Sequence, residues 1–119
     1  MIEKIKEFER NGKINEVYRI TNKNGCELYI LTYGARIIRL TAPDKDGNMG
    51  DVIVGYAKAE DYIDKSRAYY GALIGRYGNR IGGSTFTLNG KTYSLPAING
   101  KISLHGGFDG FDVRTFDAE

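Results

Sequence analysis

The sequence predicts an all-β protein made of short antiparallel strands. Runs of β-branched and aromatic residues alternate along the chain with turn signals that contain Asn and Gly. The 119 residues include 16 Gly, 9 Tyr and 5 Phe, a composition typical of strands joined by tight turns. Long segments with apolar residues at the helical spacing are hard to find. The length fits one domain or part of one.

The first half of the chain is predicted to open with a β-hairpin. Two β-prone runs, 16–20 and 26–31, flank a turn rich in Asn and Gly at 22–25. Four further elements are expected in order, namely a third strand, a turn, a short apolar strand and one helical turn: 37–40, 43–48, 51–55 and 58–65.

The clearest local signal is a second hairpin at residues 85–95. Two alternating runs, 85–88 and 91–95, are separated by Asn89-Gly90. Both turn residues tolerate the positive φ of a type I′ turn, whose twist matches that of the strands. The alternation places four apolar side chains on one face, which is predicted to be buried: Phe86, Leu88, Tyr93 and Leu95.

Charge and cysteine content exclude several classes of function. The chain has 17 basic and 15 acidic residues, and the basic ones do not cluster, so a nucleic-acid surface is not indicated. A lone Cys26 excludes an internal disulfide and favours a reducing compartment. Residues 1–13 alternate in charge without the apolar core of a signal peptide, and no apolar run approaches membrane-spanning length. We therefore expect a cytoplasmic protein that binds neither nucleic acid nor membrane.

A glycine-rich segment, residues 71–83, is a candidate ligand-binding wall. It combines five glycines with Arg76, Asn79 and Arg80. Glycine lets the backbone approach a ligand, and arginine offers fixed donors that suit hydroxyls or a carboxylate. By itself the pattern favours solvated arginines beside loops, with the ligand wall as the alternative.

His105 is the second candidate and the only histidine. The small Gly106 and Gly107 leave its imidazole accessible, and imidazole is suited to proton exchange near neutral pH. By itself the pattern slightly favours a turn histidine bonded to nearby backbone. A metal site is not expected, because one His and one Cys supply too few ligands outside an all-carboxylate site.

From about Ile20 to Glu119 the chain resembles the aldose 1-epimerase (galactose mutarotase) family. The resemblance rests on an ordered series of motifs: Thr32-Tyr33-Gly34-Ala35, the segment 51–56, the segment 75–81, Leu104-His105-Gly106-Gly107 and Gly110-Phe111-Asp112. It implies an antiparallel β-sandwich, the supersandwich of galactose mutarotases. Residues 1–119 would be the N-terminal part of a single such domain, truncated at the C-terminus.

The resemblance also implies proton-transfer chemistry on a sugar without a cofactor. A base removes the proton of the anomeric hydroxyl, an acid protonates the ring oxygen, and opening followed by closure interconverts the α and β anomers of hexoses such as galactose and glucose. It assigns Asn79, Arg80 and His105 to substrate binding, with His105 assisting catalysis. The family's principal acid, a second His, and its base, a Glu, come from later in the chain. We therefore expect residues 1–119 to be incomplete for catalysis alone.

Three positions depart from the family pattern. Ile102 stands where an Asn is usual, and Val113 and Phe116 replace a usual Lys and Trp. Two alternatives to an enzyme stay open: a carbohydrate-binding module and an inactive remnant. A subgroup of the family prefers hexose 6-phosphates, but the near-neutral charge gives no support for a phosphate pocket. Unpaired strand edges of a truncated sandwich also predict self-association.

Overall fold

The computed structural model describes residues 1–65 and 67–119, and this part of the chain forms three antiparallel sheets. One sheet holds five strands in chain order: β1 (Ile2–Arg10), β2 (Lys13–Thr21), β3 (Glu27–Leu31), β4 (Arg36–Pro43) and β5 (Met49–Asp51). The other two are pairs: β6 (Arg80–Gly82) with β9 (Ile102–Leu104), and β7 (Thr85–Leu88) with β8 (Lys91–Ser94). A helical turn, α1 (Asp61–Asp64), and a 3-10 turn (Phe111–Val113) complete the chain. The predicted all-β, antiparallel architecture is confirmed.

The β1–β2 hairpin was not predicted from the sequence. Asn11 and Gly12 form its turn with φ of 56° and 70°, and Arg10 faces Lys13 across it. Ion pairs tie β1 to its neighbours, with Lys4 Nζ 2.9 Å from Glu16 Oε1 on β2. The alternating charges of the N-terminus therefore belong to an edge strand, where charged side chains are common.

The predicted hairpin at 22–25, the third strand and the helical turn are confirmed, but the strand at 51–55 is wrong. Only Asp51 of that segment belongs to β5. Its Oδ1 accepts the N–H of Ile53 at 3.0 Å, a local bond that competes with the strand ladder. Val52 and Val54, expected to be apolar strand residues, are exposed.

The apolar core lies between the five-stranded sheet and α1. Its buried hydrophobic members are Val17, Leu31, Ala59 and Tyr62. The described chain has a Cα radius of gyration of 17.3 Å, whereas a compact domain of this length has about 13.5 Å. The fold is therefore open, with a small core. None of the described helices is both long and apolar enough to span a bilayer.

The β7–β8 hairpin has the predicted turn but not the predicted burial. Asn89 and Gly90 have φ of 51° and 75°, and Phe86 lies directly across from Tyr93. Their rings stack at 5.1 Å between centroids. However, Phe86, Leu88 and Tyr93 are 42%, 56% and 38% exposed, and only Leu95 is partly buried. The prediction of a buried face is wrong because the hairpin forms a sheet of its own that no second layer of the described chain covers.

Candidate functional site

The β6–β9 pair brings the three predicted site residues together. Arg80 faces Leu104 across the pair, so Asn79 and His105 come next to each other just beyond it. The main-chain N–H of His105 donates to the carbonyl of Asn79 at 3.0 Å, which continues the ladder by one step. Strand pairing thus connects the glycine-rich segment to the lone histidine.

The His105 ring is held in one orientation by the backbone of Asn79. The main-chain N–H of Asn79 donates to Nδ1 of His105 at 3.0 Å. A backbone N–H can only donate, so Nδ1 is the acceptor and the neutral ring carries its proton on Nε2. Asn79 and His105 have φ of 63° and 51°, the left-handed region that Asn and His enter more readily than most residues. His105 is therefore a turn histidine bonded to nearby backbone, and its Nε2–H remains a donor.

Arg80 and Asn79 add a second set of donors beside the ring. Nη1 of Arg80 donates to Oδ1 of Asn79 at 3.1 Å, and both side chains are exposed. With Oδ1 occupied, the Asn79 amide presents its N–H groups, as do the guanidinium and His105 Nε2. The arrangement suits ligand oxygens, such as hydroxyls or a ring ether. Within the described residues, no three His, Cys, Asp or Glu side chains converge as a metal ion would need.

Two glycines allow the His105 turn to pack against the segment that precedes β6. A Cβ on Gly106, whose φ is +88°, would collide with the carbonyl oxygen of Gly75. A Cβ on Gly75 would meet the ring of Phe111. Gly106 therefore permits close backbone approach and Gly75 leaves room for the Phe111 ring, and a side chain at either position would prevent this packing.

Arg67 binds the turn that begins at His105. Its Nε and Nη2 contact the two carboxylate oxygens of Asp112 at 2.8 and 2.7 Å, and Nη2 also donates to the carbonyl of Gly107 at 2.9 Å. Asp112 is fully buried, and its hydrogen bond to the guanidinium raises the pKa of Arg67. Tyr69 lies between this pair and the site, with its ring centroid 4.7 Å from that of His105.

Arg36 joins the same region to the sheet. It is 1% exposed and donates to the carbonyls of Ala68, Tyr70 and Asp112 at 2.9, 2.9 and 3.0 Å. Its guanidinium carbon lies 5.6 Å from the ring centroids of Tyr33 and of Tyr62. Burial lowers the pKa of Arg36 and raises those of the two tyrosines.

An open cavity of about 680 Å³ lies beside the site and shares Asn79 with it. Its wall is largely apolar and includes Ile81, Phe86, Leu95 and Phe111. Neither Arg80 nor His105 lines it. The cavity thus borders the N–H donors of Asn79, Arg80 and His105, which lie on the β6–β9 side.

Comparison with known proteins decides the family. The family model described as aldose 1-epimerase matches residues 16–119. The chain belongs to the aldose 1-epimerase family. It is 43% identical over 106 residues to a probable aldose 1-epimerase of Arthroderma benhamiae, which covers 85% of this chain. It is 46% identical over 83 residues, or 70% of the chain, to galactose mutarotase of Sus scrofa.

Solved epimerase structures confirm the fold class, because the antiparallel sheets of this chain match about a third of each of two such structures. A GalM/aldose epimerase homologue from C. elegans superimposes with a TM-score of 0.78 at 34% identity, over 87% of this chain and 31% of that one. Galactose 1-epimerase of Lactobacillus acidophilus gives a TM-score of 0.82 at 25% identity, over 98% and 33%. The chain spans 24% of the length of both the fungal and the porcine relative.

Three residues of this epimerase-family chain lie behind the site and support it. The sequence did not predict that role for any of them. Arg67 and Tyr69 had no predicted role, and Asp112 was noted only as the end of a motif that resembles the family. One sequence signal pointed to them, since a charged Asp directly follows Phe111 in a run that the fold buries. Such a carboxylate needs a partner, but the sequence does not say which of the arginines supplies it.

Proposed function

We propose that this chain carries the sugar-contacting wall of an aldose 1-epimerase, an isomerase that interconverts the α and β anomers of free hexoses such as galactose and glucose. Asn79, Arg80 and His105 would bind the hydroxyls and ring oxygen of the sugar. The observation that supports the proposal most is the fixed His105 ring, because the N–H of Asn79 leaves Nε2–H as a donor toward a ligand.

The role of His105 in this proposal is to assist catalysis rather than to drive it. Anomer exchange needs a group that removes the proton of the anomeric hydroxyl and another that protonates the ring oxygen. In the family the principal acid is a second His and the base a Glu, and His105 is the only histidine of these 119 residues. An Nε2–H held toward the ring oxygen would stabilise the charge that develops there as the ring opens. Turnover is then proposed for a protein that also supplies the other two groups.

Binding is tested by following the single histidine. In a ¹⁵N-labelled sample, the ring signals of His105 should shift as galactose or glucose is added. Arg80→Lys should weaken binding about tenfold, because an ammonium cannot reproduce the fixed guanidinium donors. Arg39→Lys is the matched control, since Arg39 is an exposed arginine on β4 with its guanidinium carbon 5.3 Å from the Tyr29 ring centroid. Equal weakening in both variants, or no shift with any hexose, would contradict the proposal.

A carbohydrate-binding protein without turnover is the second candidate. It is favoured by the donor-rich character of the site, where Asn79, Arg80 and His105 all present N–H groups. Polarimetry of freshly dissolved α-glucose, run on a protein that joins this chain to the acid and the base, separates the two candidates. Hexose-induced His105 shifts without faster mutarotation would indicate binding alone, whereas accelerated mutarotation would indicate the enzyme.

A further inference from the structure

We propose that Arg67 is a positioning residue for His105, acting through the Gly107 carbonyl and the Tyr69 ring. The inference rests on the proposed function for its effect on sugar binding. Its effect on the orientation of the imidazole does not depend on that function. Arg67 touches neither His105 nor the exposed donors, so its action is indirect.

The first connection runs through the backbone of the turn. Nη2 of Arg67 donates to the carbonyl of Gly107 at 2.9 Å, and Nη1 to that of Phe108 at 3.3 Å. Gly107 closes the turn that His105 opens, with its N–H donating to the carbonyl of Leu104 at 2.9 Å. The guanidinium therefore fixes the chain two and three residues after the imidazole.

The second connection runs through an aromatic ring. The guanidinium carbon of Arg67 lies 5.3 Å from the ring centroid of Tyr69. The Tyr69 ring also contacts that of His105, at 4.7 Å between centroids and with 59° between the ring planes. Tyr69 is thus held against the imidazole from the side of Arg67, and it restricts the rotation of the ring.

The buried carboxylate of Asp112 holds Arg67 itself in place. Asp112 is 0% exposed and the Arg67 side chain 28%, so the ion pair is largely shielded from water. A two-pronged contact between guanidinium and carboxylate fixes the plane of the guanidinium as well as its position. That plane directs Nη2 at Gly107, a geometry that a lysine ammonium cannot reproduce.

The test uses the fact that the chain has one histidine. In the full chain, long-range ¹H–¹⁵N spectra should show one tautomer of His105, with Nδ1 unprotonated and Nε2 protonated. Arg67→Lys keeps the positive charge but loses the two-pronged guanidinium contact with Asp112. It should move the signals of both His105 ring nitrogens toward the average of the two tautomers. If the chain binds hexose, affinity should fall about tenfold. Arg114→Lys is the matched control, because Arg114 pairs with exposed Asp109 in the same loop, at 2.8 Å, and it should leave the ring signals unchanged.

A second variant keeps the test decisive if Arg67→Lys does not fold. Tyr69→Leu leaves the Arg67–Asp112 pair intact and removes only the ring between it and His105, so it should shift the same signals in the same direction by less. Wild-type ring signals in a folded Arg67→Lys or Tyr69→Leu protein would overturn the proposal, as would equal shifts in Arg114→Lys. If Arg67→Lys alters the tautomer but the wild-type chain binds no hexose, Arg67 is still a positioning residue. Only the proposed function is then refuted.

Discussion

The five-stranded sheet and the segment that carries the candidate site are stabilised by different interactions. The four buried hydrophobic residues of the described core, from Val17 to Tyr62, lie on the sheet, in α1 or just before it. Beyond Tyr62, the buried side chains among the described residues are polar or charged: Ser84, Ser103 and Asp112. The sheet therefore combines apolar packing with buried polar side chains such as Asn15 and Thr32, whereas the described site segment buries no apolar side chain and is held by guanidinium–carbonyl and guanidinium–carboxylate bonds.

This difference explains how a segment with little regular structure keeps a defined site. Residues 71–79 form no strand, yet the main-chain N–H of Leu73 donates to the carbonyl of Gly34 at 2.9 Å, and that of Ile37 to the carbonyl of Gly71 at 2.9 Å. These bonds attach the segment to the end of the sheet, and Arg36 reinforces the junction. Directional bonds fix position where there is too little apolar surface to do so.

Removing the guanidinium at the junction should have the largest effect. Arg36→Ala is expected to lower the free energy of unfolding by about 4 kcal/mol, because one buried and two partly buried carbonyl oxygens lose their donor and a cavity opens between two tyrosines. Urea denaturation measures the loss. Amide exchange should accelerate more in 67–112 than in β2 and β3. Arg39→Ala, on the same strand but exposed, should cost under about 1 kcal/mol. Equal losses in the two variants would contradict a special role for the junction.

A Leu→Ala substitution in each region tests the contribution of apolar packing. Leu31→Ala, at a side chain that is 0% exposed, should cost about 3 kcal/mol in the free energy of unfolding. Leu88→Ala, at a side chain on the open hairpin that is 56% exposed, should cost under about 0.5 kcal/mol. Chemical denaturation of both variants is sufficient. A large loss at Leu88 would mean that the hairpin is covered in solution, by a second copy or another chain.

Local turn chemistry was predictable, and its failures have physical causes. The Asn89-Gly90 hairpin was found because alternating apolar residues flank it. The equivalent Asn11-Gly12 turn was missed because β1 is charged and exposed along most of its length, so it lacks the apolar alternation that marks a half-buried strand. Burial was misjudged for Phe86 because alternation shows which residues share a face but not whether another layer covers that face.

The candidate site was only partly predictable. Asn79, Arg80 and His105 were proposed from motif resemblance, and the β6–β9 pairing brings them together, while their contact with sugar stays a prediction. The supports of the site depend on contacts between distant residues, as in the pairing of Arg67 with Asp112, 45 positions apart. Sequence periodicity carries no information about such partners, since any of several arginines could neutralise that carboxylate.

Acid should loosen the charged edge of the sheet, and this is the smallest effect we expect. The hydrogen bond from Lys4 lowers the pKa of Glu16 from its ordinary 4.5, and that from Lys6 lowers the pKa of Glu60. A lowered folded-state pKa contributes stability above the ordinary value, and that stability is lost as the pH falls through the folded-state value. Hydrogen-exchange protection of β1 should therefore decrease below about pH 4.5, after correction for intrinsic rates. The β7–β8 hairpin carries no acidic residue and should retain its protection; a parallel loss in both would indicate global acid unfolding instead of release of an edge strand.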